Sequence, residues 1–108
     1  MIGLDELLAQ FAGLDRAEVL RWVENRWLLP DLADGRFAFG EVDVARVELI
    51  LGMRRDFAVG DEAMAVVLGL LDQVYGLRRQ MARLCRAVAA LPPEARAALR
   101  AAMAEEER

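Results

Sequence analysis

Large apolar residues recur at helical spacing from the start of the chain, where Leu4, Leu7, Leu8 and Phe11 predict a short helix from Asp5 to Phe11. Asp5 and Glu6 suit its positive N-terminal end, and Gly13 provides the turn that stops it. Asp15, with Glu18 three residues on, is a capping-box-like pair that opens a second helix. The apolar side of that helix is Val19, Leu20, Trp22 and Val23, and Asn25 is expected to end it in a left-handed conformation. Two short helices joined by a glycine turn form a helix-turn-helix.

The pattern then changes period. Trp27-Leu28-Leu29 is short, apolar and followed by Pro30, which reads as a strand. Asp34-Gly35 is a strong hairpin signal, and Arg36 to Phe39 returns as the second strand, giving a small wing. A third helix is predicted from Glu41 to Phe57, with Val44, Val47, Ile50, Leu51 and Arg54 on its period and Val47 and Leu51 at its centre. Phe57-Ala58-Val59-Gly60 interrupts, and Asp61 caps a long helix expected to reach about Ala90.

Along that long helix Val67, Leu70, Val74, Leu77, Met81, Leu84, Val88 and Leu91 repeat with alternating steps of three and four. Such a seam predicts a coiled coil, because one isolated helix cannot bury it. Met64, Leu68 and Leu71 widen the apolar face at the start, where packing on the preceding domain is expected. Arg78, Arg79, Arg83 and Arg86 fill the outside further on. Pro92-Pro93 ends the helix, and a last helix with Leu99 and Met103 runs from Glu94 to about Glu106, leaving residues 105–108 as a solvated tail. The fold class is therefore all-α: a winged helix-turn-helix over residues 1–60, a dimerising helix over 61–91, and a short helix with an acidic tail over 92–108.

Composition narrows the function. The 108 residues contain no His, Ser, Thr or Lys and a single Cys, Cys85. Serine and threonine nucleophiles, lysine Schiff bases and histidine bases are absent, as are the Cys and His ligands of ordinary zinc sites. No glycine-rich phosphate loop or paired-carboxylate motif is present, so neither an enzyme nor a cofactor is expected. Cys85 lacks a mate for an internal disulfide and reads as a small apolar helix residue. No run of about 18 apolar residues and no basic start leading into an apolar core occur, so a soluble, cytoplasmic protein with no membrane partner is expected. The net charge of −4 is uneven, since residues 1–50 hold five Arg against ten acidic residues. A duplex-binding domain usually shows a basic face; this half suits a basic partner.

The segment Leu20-Arg21-Trp22-Val23-Glu24-Asn25-Arg26-Trp27-Leu28-Leu29-Pro30 resembles the helix-two-to-wing stretch of MerR-type regulators, and Asp43-Val44-Ala45-Arg46-Val47 resembles the start of their third helix. The resemblance covers residues 4–91 and implies antiparallel pairing of the long helices in a homodimer. Wings of that family usually carry Gly-Tyr-Arg-x-Tyr, whose Arg contacts DNA phosphate. Here Gly35-Arg36-Phe37-Ala38-Phe39 puts Phe37 at that position, Asp31-Leu32-Ala33-Asp34 stands where Arg is usual, and Trp27 replaces the glycine after helix two. The aromatic-x-Phe wing, the acidic balance and Leu68-Gly69-Leu70-Leu71-Asp72-Gln73-Val74-Tyr75-Gly76-Leu77 are similar to the CbpM branch of chaperone modulators. That likeness implies binding to a CbpA-like J-domain co-chaperone, restraint of its stimulation of a DnaK-type chaperone, and weakening of its DNA binding.

Two surfaces follow as expectations. A J-domain meets its chaperone through a basic helix, so a masking partner offers carboxylates. Asp31, Asp34, Glu41, Asp43 and Glu48 fall within eighteen positions, opposed only by Arg36 and Arg46. Each also suits a solvated charge, and Glu41 and Asp43 stand where a helix cap belongs. The alternative is a DNA-binding regulator using Arg16, Arg21, Arg26 and Arg36. Trp22, Trp27, Phe37 and Phe39 are expected in the core of the wedge between wing and helices.

Overall fold

The computed structural model describes residues 1–107. Its elements are α1 (Leu4–Gln10), α2 (Arg16–Glu24), β1 (Asp31–Ala33), β2 (Arg36–Ala38), α3 (Glu41–Phe57), α4 (Asp61–Ala89) and α5 (Pro93–Glu106). The expected order of elements is present; α3 starts at Glu41 as predicted, behind Gly40 as its N-cap, and Asp61, expected as the cap of the long helix, is the first residue of α4. Glu105 and Glu106, expected in a tail, belong mostly to α5, while Arg108 lies outside the described residues.

One compact unit spans residues 1–68 and holds the whole core: Leu7, Leu14, Val19, Trp22, Trp27, Leu28, Phe39, Val47, Ile50, Met64 and Leu68. Each helix of this unit buries part of the side its spacing selects, but Leu20, expected on the apolar side of α2, is exposed. On α3 the deeply buried pair is Val47 and Ile50, whereas Leu51, expected at the centre, is half-buried. The stripe continues through Arg54, whose guanidinium pairs with Glu18 of α2 and lies 6.0 Å from the Trp22 ring centroid. A cation ends an otherwise apolar face because a carboxylate and a π-face both receive it.

The junction between α2 and the wing departs from expectation twice. Asp15 does cap α2, accepting from the Glu18 N–H at 2.8 Å. At the other end Asn25 is right-handed, and Arg26 takes the left-handed position with φ of 63°. The N–H of Arg26 donates to the Val23 carbonyl at 3.0 Å, and that of Trp27 to the Trp22 carbonyl at 2.8 Å. This double bond pattern is a Schellman motif, and its hydrophobic contact is the tilted Trp22–Trp27 ring pair at 6.5 Å. Trp27-Leu28-Leu29 is consequently not a strand. Its N–H groups go to the Trp22 carbonyl and, for Leu29, to Asp43, so none remains for a ladder.

The strand lies four residues later. Asp31 opposes Ala38, Leu32 opposes Phe37 and Ala33 opposes Arg36, leaving Asp34-Gly35 as a two-residue turn with φ of 53° and 74°. Both positive values identify the type I′ turn that the Asp-Gly pair predicts. Phe39 continues the line by bridging to Ile2 through N–H···O bonds of 2.9 and 2.7 Å, which fastens the N-terminus beside the wing.

The second unit begins at Gly69 and comprises the remainder of α4 with α5. Its apolar seam is open: Leu70, Val74, Leu77, Met81 and Leu84 are all exposed in the single chain, and Cys85, a small residue on the same helix, is exposed as well. On α5, Leu99 is half-buried and Met103 exposed. No helix of the described residues is long and apolar enough to cross a membrane.

Two non-glycine residues hold left-handed geometry at helix ends, Arg26 and Ala58 (φ of 54°). The left-handed region costs an L-residue about 1–2 kcal/mol, partly offset in a glycine by its greater unfolded entropy. Arg26→Gly and Ala58→Gly should therefore each raise stability by roughly 0.5–1 kcal/mol in urea unfolding. A loss of stability would mean that the side chains do more than tolerate the turn.

Candidate functional site

The wing is small, so its position depends on what grips its two ends. Asp43, in the first turn of α3, is 6 % exposed. One carboxylate oxygen accepts the Leu29 N–H at 2.9 Å and the other accepts the Gly40 N–H at 3.2 Å. Leu29 and Gly40 bracket the hairpin, so a single side chain clamps both legs to α3. Arg46, one turn on, donates from Nε to the Trp27 carbonyl. Asp43 was expected among the partner contacts, and this is a correction: its charge is buried on backbone donors and is not offered to a partner. Arg46 likewise serves the loop rather than standing only as a counter-charge.

The other four carboxylates remain on the surface. Asp31 and Asp34 are exposed on the hairpin, Asp34 in its turn. Glu41 and Glu48 are exposed on one flank of α3 and line a shallow concavity of about 290 Å³ with Met1, Ile2, Phe39 and Val44. The structure therefore brings Glu41 and Glu48 together on one wall, while Asp31 and Asp34 stand on the wing. None of the four is ion-paired among the described residues.

The arginines proposed for DNA are disposed differently. Arg16 donates to Asp5 of α1 at 2.7 Å, and Arg21 meets Asp61 at 3.2 Å. With Arg54 held by Glu18, three of the arginines near α2 are each opposed by a carboxylate. Arg26 and Arg36 are exposed without an ion pair among the described residues. Exposed pairs of this kind contribute little to stability, about 0–1 kcal/mol, yet they weaken the positive field a phosphate backbone would meet. Leu20, 41 % exposed, and Glu24 interrupt the stripe further. At the end of α3 the Arg55 guanidinium bonds and charges the neighbouring Asp56, holding its carboxyl below the usual carboxylate range. Among the described residues no three His, Cys, Asp or Glu side chains are grouped to hold a metal ion.

Sequence reasoning placed Trp22, Trp27 and Phe39 in the core, where they are buried, and Phe37 is half-buried beside Phe39 with ring centroids 6.1 Å apart. It did not anticipate that Leu29, Leu32 and Val42, all beside the wing, would stay exposed. No periodic signal distinguishes an apolar residue that packs from one that does not.

Two consequences are measurable. Asp43→Ala leaves two backbone donors unpaired and should cost about 2–3 kcal/mol in chemical unfolding, with the loss concentrated in hydrogen-exchange protection of residues 27–40. Asp5→Asn together with Asp61→Asn releases Arg16 and Arg21 and should tighten non-specific duplex binding several-fold at low salt, read by fluorescence anisotropy. Unchanged affinity would show that these ion pairs do not control the positive field.

A family model described as "MerR HTH family regulatory protein" matches residues 2–86, which covers both helices of the helix-turn-helix, the wing, α3 and nearly all of α4. No curated protein and no solved structure matches the chain significantly. The match takes in most of the chain, from the helix-turn-helix through the wing and α3 into α4, and the chain belongs to the MerR HTH regulatory family.

Proposed function

We propose that this chain is a protein-binding member of the family: a homodimeric modulator that docks a CbpA-like J-domain co-chaperone on its wing and third helix and restrains that co-chaperone's stimulation of a DnaK-type chaperone. The observation that carries the reading is the division of charge. Arg16 and Arg21 are already opposed by Asp5 and Asp61, whereas Asp31, Asp34, Glu41 and Glu48 are exposed and not ion-paired among the described residues. A basic helix is attracted to such a surface and a phosphate backbone is repelled by it. The resemblance to chaperone modulators supplies the identity of the partner. The open seam of α4 supports the dimer, since Val67, Leu70, Val74, Leu77, Met81, Leu84 and Val88 form one continuous stripe with five members exposed.

The second reading, a DNA-binding regulator, is favoured by the family match itself and by the unpaired Arg26 and Arg36. The two readings separate in solution. Calorimetry against a purified CbpA-type J-domain should show binding whose association quickens as ionic strength falls. Reversing Asp31, Asp34 and Glu41 to Arg should weaken it about tenfold or more while the fold persists, because exposed positions tolerate substitution. Duplex binding at about 0.15 M salt should stay in the non-specific range, roughly 10⁻⁴–10⁻⁶ M. A sequence-specific nanomolar DNA complex, with no J-domain binding, would establish the regulator instead.

The dimer has its own test. Leu77→Asp with Leu84→Asp places charge in the seam, and sedimentation should then give a monomer where wild type gives a dimer at tens of micromolar protein. A wild-type monomer, or an unaffected dimer, would refute pairing through α4.

A further inference from the structure

The exposed aliphatic residues beside the wing have no role in the core, and their setting says what would cover them. Leu29, Leu32 and Val42 are 66, 71 and 73 % exposed, although Trp27, Leu28 and Phe39 close by are buried. Their backbone is nevertheless held in place. Leu29 is tied to α3 through its N–H on Asp43 at 2.9 Å, Val42 lies in the first turn of α3, and Leu32 faces Phe37 across the two-stranded ladder. Three residues of chain, at most about 10 Å, separate Leu32 from Leu29. Backbone fixed before binding has little conformational entropy left to lose on contact.

Charge around the anchors is predominantly negative. Between positions 29 and 42 stand Asp31, Asp34 and Glu41, with Arg36 the one cation in that stretch. An apolar centre with a charged rim is the usual anatomy of a protein interface. We propose that Leu29, Leu32 and Val42 are the apolar anchor of the partner interface, seating the hydrophobic stripe of a basic amphipathic helix whose Arg and Lys side chains meet Asp31, Asp34 and Glu41. The proposal rests on the protein-binding reading above and assigns the residues that supply its affinity. A copy of the same patch is a poor occupant, because a two-fold contact would set these carboxylates against one another. Nucleic acid is a poor one too, since its phosphates meet the same carboxylates and its backbone offers no apolar stripe.

Apolar anchors and charged rims leave different kinetic traces. Anchor loss speeds dissociation at every salt concentration, and rim loss slows association at low salt. The experiment uses the full chain against a purified CbpA-type J-domain, by biolayer interferometry at about 0.15 and 0.5 M salt. Leu29→Ser with Val42→Ser should weaken binding about 30-fold through faster dissociation, nearly equally at both salts. Leu32→Ser should act in the same direction. Asp31→Asn with Asp34→Asn should slow association at the lower salt alone, and Leu20→Ser, exposed on α2 outside the patch, should bind as wild type. Circular dichroism and urea unfolding verify that each variant is folded.

Wild-type binding left undiminished by Leu29→Ser with Val42→Ser would overturn the anchor while leaving the protein-binding reading intact. No binding by wild type would overturn both. A dimer that falls to monomer in the double variant would make the patch a contact between copies, and loss of duplex binding with J-domain binding retained would make it a DNA contact; either result overturns the assignment.

Discussion

The Asp43 carboxylate is the constraint on which the winged unit depends. Two three-residue strands and a two-residue turn form a hairpin too small to be stable alone. Asp43 accepts from the residues that bracket it, Leu29 and Gly40, and thereby makes the wing an extension of α3. Burying a carboxylate is costly unless donors satisfy it, and here two backbone N–H groups do so. The same side chain bonds the Gly40 N–H at the start of α3, so capping the helix and fixing the wing are one act. The Arg46 bond to the Trp27 carbonyl and the Schellman contact of Trp27 on Trp22 extend the connection back to α2.

With the wing so fixed, the surface divides by chemistry. On the α2 side arginines are opposed by carboxylates of α1, α2 and the first residue of α4. On the wing and one flank of α3, Asp31, Asp34, Glu41 and Glu48 carry no ion pair among the described residues, beside three exposed aliphatic side chains. A helix-turn-helix scaffold need not read DNA, because its shape comes from Leu7, Val19, Trp22 and Val47 in the core, while its ligand depends on which charges remain available outside. The long seam of α4 adds a second apolar surface of different geometry, a stripe along one helix rather than a patch on a wing.

Much of this was legible in the sequence because it depends on local interactions. Helical spacing marked α1 to α4, the Asp-Gly pair marked the hairpin, and Asp15 and Asp61 stood where helices begin. Periodicity also marked the seam, since a repeat over eight apolar positions needs no tertiary information. The likeness of residues 20–30 to a family segment was carried by the order of residues alone.

Other features were decided by competition between distant groups. Trp27-Leu28-Leu29 has the composition of a strand, but the Trp22 carbonyl and the Asp43 carboxylate take its N–H groups, and only the folded chain brings those acceptors within reach. Arg26 rather than Asn25 turned left-handed because the Trp27–Trp22 contact sets where the helix must end. Asp43 looked like its exposed neighbours until the loop from Trp27 closed over it, and Arg16 and Arg21 looked available until α1 and α4 set carboxylates beside them. Spacing along a chain tells which face a residue shares. Whether that face meets a backbone donor, a counter-charge or water depends on packing that joins residues far apart in sequence.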